Sequence, residues 1–314
     1  ETPVRNTAHW LYTLCWLVEH GQNRWKTAAN LAADFLISES ARSGNHSFLC
    51  RLESGKDTSN GLIGQAWVLE SLLKASEILC RDDCNRVAVE VYYHHKWSNS
   101  HSAWHTVLSD GTTGTVCETF NQQLWFASIA CQLNDQNATA LANNFLSKVV
   151  PRLSTYEDGV IFHDSVAHCG SGFFRRIGRL ATRRVKMKTQ RLRSVGYHAF
   201  NLVAMTQLKA HLPNSQFWAS KKYQEISNAC FSSTFKRDCL NNKYAFSYNP
   251  IGFEMAFVLA EQGFYQDARA FLNLQRDFIS TYPEIQVLGS FDQNTSLARL
   301  YELCRVNLLM PTEQ

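Results

Sequence analysis

Glu254 stands in the run Tyr248-Asn-Pro-Ile-Gly-Phe-Glu254-Met-Ala-Phe, a carboxylate set among apolar neighbours. Burial disfavours the ionised form of a carboxyl and raises its pKa, which suits a general acid. Hydrolysis of a glycosidic bond takes two carboxylates facing each other across the sugar. Asp110, in Ser109-Asp110-Gly111, and Asp164, in Phe162-His163-Asp164, are candidates for the second, with ordinary turn aspartates as the competing reading. Gly252, two residues before Glu254, reads as room for a ligand. A lyase or an epimerase needs other parts: a base beside the carbon acid, an acid, and a group that neutralises a carboxylate. Tyr197 and His198 fit those roles, with Asn121, Arg175 and Tyr248 in support, although a structural histidine explains His198 equally well.

Binding follows the same logic. Sugars present hydroxyl edges and apolar ring faces, which call for amide side chains to hydrogen-bond and aromatic rings to stack. Gln65, Trp67, Asn121, Gln123, Trp125, Asn201, Tyr248 and Asn249 answer that description, as do His9 and Trp10. Core packing is the plain alternative for the tryptophans, and helix capping for Asn121 and Asn249. Gln65 and Gln123 lie inside apolar runs, past the capping positions, where a polar group needs a partner; that favours function. Residues 175–193 hold nine Lys or Arg and no acid, including Arg175, Arg183 and Arg184. Such a stretch suits an anionic polymer. A net charge of +4 and the lack of any nucleic-acid motif point to an acidic glycan and away from nucleic acid.

The elements that must position these residues read as helices. Candidates run at about 6–20, 24–39, 61–79, 83–97, 117–133, 137–150, 195–212, 215–231, 249–262, 264–279 and 292–309. Six of them start with polar or aromatic residues and then turn apolar, near 6, 61, 117, 195, 249 and 292, a repeat of roughly 55 residues with one insertion. Short turns close each hairpin and long connections join one hairpin to the next, so the six starts fall on one side. Six such hairpins in a ring make an all-α, (α/α)6-type toroid, incomplete by one outer helix, in a single domain spanning 1–314. An open α-solenoid is the alternative.

The stretches GLIGQAWVLESLLKA, TFNQQLWFA, GYHAFNL and YNPIGFEMAF resemble inner-helix motifs of the six-hairpin, (α/α)6-toroid carbohydrate-active superfamily. That superfamily includes N-acylglucosamine 2-epimerase-like enzymes, unsaturated glucuronyl hydrolases and polysaccharide lyase toroids. The resemblance implies a sugar site at the toroid mouth and leaves the reaction open.

Other classes are excluded or disfavoured. No run reaches the length of a membrane span. Ten cysteines occur without a C-x2-C pair, and Cys80-x3-Cys84 has no second half, so neither a metal nor another cofactor is expected. Cysteines on apolar faces suggest a reducing, cytoplasmic setting. The expectation is a protein acting on an acidic polysaccharide or oligosaccharide, by hydrolysis with Glu254 in an acid or base role. A lyase or sugar epimerase is the alternative, and a non-catalytic glycan-binding or assembly protein the second.

Overall fold

The structure, a computed structural model, describes residues 2–164, 187, 189–240, 242–281 and 298–306. Helix α1 (Pro3–Glu19) starts where Thr2 caps it, its side chain accepting from the Arg5 amide, with Pro3 in the first turn where no amide donor is needed. Gly21, at φ 80°, ends it, and α2 (Lys26–Ile37) returns along its outside. Helices α3 (Gly61–Leu79) and α4 (Asp82–His94) make the second hairpin. The third is α5 (Phe120–Gln132) and α6 (Gln136–Lys148), the latter capped by Asp135.

Helix α7 (Arg191–His211) follows. Its return path is broken into 3-10 turns and two short helices, α8 (Lys221–Asn228) and α9 (Ser233–Leu240), where the sequence pattern predicts one continuous helix over 215–231. Ser220 and Ser232 cap new starts there and interrupt the run. Helices α10 (Ile251–Glu261) and α11 (Tyr265–Thr281) turn at Gly263, and a 3-10 turn (Arg299–Glu302) leads into α12 (Leu303–Val306).

Burial separates inner from outer helices. Nearly every residue of α5 is buried, as are most of α3, α7 and α10, so each is enclosed on most sides. By contrast α6 buries Ala138, Ala142, Phe145 and Leu146, a single stripe at helical spacing. Neighbours run α1–α3–α5–α7–α10–α12, and the Arg299–Glu302 turn packs back on α1, which closes the ring. This is the (α/α)6 toroid, with six inner elements.

Closure is ionic as well as apolar. Arg305 of α12 donates twice to Glu70 of α3, at 2.8 Å each, and once to Glu302 at 2.7 Å, all three residues 5% exposed or less. Gln207 of α7 donates to the same Glu70 and accepts from Ser128 of α5.

The connection over 97–116, which the sequence reads as a link between two helices, carries a small sheet. Strands β1 (Trp97–Ser98), β2 (Ala103–Val107) and β3 (Thr113–Val116) form an antiparallel sheet in sequence order, pairing Trp97 with Trp104 and His105 with Val116. No helix among the described residues is long and apolar enough to cross a membrane.

Candidate active site

The starts of the inner elements meet around a cavity of about 710 Å³. Helix α1 brings Arg5 and His9; α3 and its approach bring Asn60 and Trp67; α5 brings Asn121; α7 brings Arg193 and Tyr197; the approach to α10 brings Tyr248 and Asn249; the closing turn brings Arg299, Tyr301 and Glu302. The long connections add Arg51, Lys56, His163 and Asp164 at the rim. Five of the expected helix starts therefore converge on one mouth. The sixth, at 292, lies outside the described residues, and so do Arg175, Arg183 and Arg184.

One wall is aromatic. His9 stacks on Tyr301 at 4.3 Å and meets the edge of Trp67 at 5.4 Å. Trp67 meets Phe200 at 6.5 Å, Phe200 meets Tyr197 at 6.0 Å, and Tyr197 packs against His163 at 4.3 Å. Both histidines are held neutral. Burial, then Arg5, Arg299 and Arg305, push the His9 pKa well down; burial, then Arg193, push that of His163 to about 3.

Opposite polarity sits beside this wall. Arg299 donates to the Tyr248 carbonyl and to Asn249 Oδ1 (2.8 Å), and Asn249 Nδ2 donates to the Gly196 carbonyl (2.7 Å). Several buried polar atoms on cavity-lining residues have no hydrogen-bond partner among the described residues: Trp67 Nε1, Asn121 Oδ1, Arg193 Nε and Tyr301 Oη. Buried polar atoms left unpaired cost free energy unless water or a ligand meets them.

Several sequence-derived candidates sit elsewhere. Gln65 and Gln123 are fully buried and hold backbone instead of ligand. Gln65 accepts from the Phe48 amide (2.8 Å) and donates to Phe48 and Ser59 carbonyls (3.1 and 2.8 Å). Gln123 does the same for Trp104 and Cys117. His198 is the third such clamp: Nδ1 accepts from the Ile161 amide and Nε2 donates to the Ile226 carbonyl, with both ring nitrogens spent and no exposure. Each pins the long connection before its helix, a need that sequence spacing does not reveal.

Trp125 is fully buried under Phe200, stacked at 4.7 Å, and its indole N–H donates to the Phe200 carbonyl. Trp10 is 40% exposed and off the cavity, and Asn201 is 2% exposed behind the wall. Asp110 closes its own turn by accepting from the Thr112 amide, which lowers its pKa. Gly252 makes room for α11, not for ligand: a Cβ there would overlap that of Gln275.

Glu254 is 1% exposed and does not border the cavity; neither carboxylate oxygen has a hydrogen-bond partner among the described residues. Burial, then Glu302, push its pKa well above 4.5 against the pull of Arg299 and Arg305, so it stays protonated. The unfolded chain releases that proton above its ordinary pKa, so stability falls as pH rises from there towards the folded value. Glu254→Gln is expected to remove this decline while leaving turnover near wild type. Denaturant titrations at pH 5 and pH 8, with an assay of the folded variant, check both parts.

Conversely, Arg5, His163, Arg193, Arg299 and Tyr301 line the cavity although no sequence pattern singles them out as a group. Arg193 ends the basic stretch 175–193, a usable signal, whereas nothing local marks His163 or Arg299.

The described starts of the inner elements surround one polar and aromatic mouth of an (α/α)6 toroid. The chain belongs to the family of the archaeal glycosylation protein Q of Haloferax volcanii, to which it is 34% identical over 331 residues, covering 98% of this chain and 88% of that protein. The same fold is seen in the structure of cellobiose 2-epimerase from Bacillus thermoamylovorans B4167, at a TM-score of 0.59 and 10% identity, over 89% of this chain and 76% of that one. No protein-family model matches the sequence.

Proposed function

We propose that the protein epimerises a sugar residue bound in the toroid mouth, by proton transfer at a carbon next to a carbonyl, and that the sugar is anionic. The observation that carries this reading is the pair of neutral imidazoles, His9 and His163, on an aromatic wall of the cavity. A neutral imidazole accepts a proton, and its conjugate acid returns one. The relative's name, which speaks of glycosylation, and the fold shared with a cellobiose 2-epimerase support it. Hydrolysis is less well supported. Glu254 does not border the cavity, and of the four acids that do, Glu53, Glu118, Asp164 and Glu302, Glu302 is bound to Arg305 and Glu53 to Lys56.

The charge balance of the mouth supports an anionic sugar. Arg5, Arg51, Arg193 and Arg299 border the cavity, and the positive ends of the inner helices face it. Arg193→Gln is expected to weaken binding of a uronate-containing oligosaccharide by about 10–100-fold and to flatten its salt dependence. Affinity for the neutral analogue should stay unchanged. Titration calorimetry at two salt concentrations measures all three.

Product analysis tests the reaction class. An epimerase inverts one centre at unchanged mass. A hydrolase yields two fragments with a new reducing end, and a lyase yields an unsaturated sugar that absorbs in the ultraviolet. Fragments would put hydrolysis in place of epimerisation, and an unsaturated product would put elimination there.

A further inference from the structure

The geometry points to Tyr248 as the hydrogen-bond and proton donor to the sugar's carbonyl oxygen, with Arg299 as the residue that positions it. This rests on the epimerase reading and adds the acid that reading lacks.

Three observations meet at this phenol. First, Tyr197 Oη donates to Tyr248 Oη at 3.3 Å, so the Tyr248 oxygen is an acceptor in that bond and its own proton is free for another partner. Second, Tyr248 is 37% exposed and borders the cavity, whereas Tyr197 is packed between His163, Phe200 and Tyr248. The outer phenol meets the ligand and the inner one backs it. Third, Arg299 fixes the segment that carries Tyr248. Its guanidinium donates to the Tyr248 carbonyl and to Asn249 Oδ1, and its central carbon lies 5.8 Å from the Tyr248 ring centroid. Asn249 in turn donates to the Gly196 carbonyl, beside Tyr197. The two phenols thus share one brace, which comes from the turn that closes the ring.

The base stands on the other side of the same pair, since the His163 ring packs on Tyr197 at 4.3 Å. His163 takes the proton from the carbon next to the carbonyl, and the C–H electron pair becomes a carbon–carbon double bond. The carbonyl pair moves to oxygen, which takes the phenolic proton of Tyr248 and leaves an enol and a phenolate. The Tyr197 hydroxyl and the Arg299 cation stabilise that phenolate. His9, neutral and on the cavity, gives its N–H proton to the opposite face of the carbon and takes one from solvent at its other ring nitrogen; the enol proton returns to Tyr248 and protonated His163 releases its proton to solvent, which completes the inversion and restores every group. Donors preset towards a developing oxyanion are the strongest single contribution in such sites. Tyr248 touches substrate and is catalytic; Tyr197 and Arg299 act through it.

The test compares wild type with Tyr248→Phe, Tyr197→Phe, Arg299→Gln and Arg299→Lys, by kcat, KM, pH profile and thermal melting. Tyr248→Phe is expected to lower kcat by about 10²–10³-fold, with little change in KM and no change in melting. Tyr197→Phe and Arg299→Gln both make the phenolate costlier, so both lower kcat with little change in KM. Arg299→Lys keeps the charge and should restore kcat in part, which a merely structural brace would not do. Wild type that inverts its sugar while Tyr248→Phe keeps a normal kcat overturns this assignment and leaves the epimerase reading standing. A wild type that inverts no sugar overturns both.

Discussion

Replacing Arg305 with alanine is expected to cost about 3–5 kcal/mol of stability, because it strands two buried carboxylates, Glu70 and Glu302, that share this one guanidinium. The side chains are 4% exposed or less, so water cannot take over the lost hydrogen bonds. The effect should exceed that of any exposed pair, such as Lys56–Glu53, whose partners are about half in solvent. Arg305 is also the link between α12 and α3, and its guanidinium packs over Tyr12, Trp125 and Tyr301. Loss of that link should loosen the seat of Tyr301 and, through it, His9. Denaturant unfolding measures the stability change; an Arg305→Ala protein as stable as wild type would mean that the ring is held shut by apolar packing alone. A Glu70→Gln, Glu302→Gln, Arg305→Met triple variant should recover much of the loss, since no ion is then left unpaired.

The second large effect falls on rate. His163→Asn is expected to lower turnover by about 10²–10⁴-fold, the usual worth of a general base, and to leave the fold intact, because the ring is partly exposed at the rim. A base must be deprotonated to act, so activity is lost as pH falls through its pKa. In the free protein burial and Arg193 hold that value at about 3, so the acid limb of kcat/KM should lie far below the histidine value of 6.5. In the complex an anionic ligand offsets Arg193, the smaller of the two causes, and the acid limb of kcat should lie above that of kcat/KM. Equal limbs in the two profiles would remove the link between Arg193 and the base.

Much of the ring was legible because it rests on local pattern. The starts near 6, 61, 117, 195 and 249 follow from polar residues that turn apolar, and Gly21 and Gly263 end their helices with positive φ. The site was less legible, for a reason visible in two matched runs. Gln65-Ala-Trp67 and Gln123-Leu-Trp125 occupy like positions, yet Trp67 borders the cavity while Trp125 lies beneath Phe200. Which tryptophan is covered depends on the neighbouring helix, not on its own. Likewise the polar character of Gln65, Gln123 and His198 correctly signals a buried hydrogen-bond partner, but that partner is loop backbone brought back by the long connection. His163 reaches the mouth from a connection with no periodicity to read, and Arg299 from a 3-10 turn within the run 292–309 that the pattern reads as one helix. The small sheet over 97–116 escaped because its strands are short and mixed in polarity.

Epimerisation of the bound sugar in deuterium oxide tests the central claim most directly. Proton transfer through His9 and His163 predicts one solvent deuterium on the inverted carbon of the product, by mass spectrometry and NMR, and its loss in the His163→Asn variant. An inverted product that keeps its original hydrogen, or full exchange in the variant, would contradict the account.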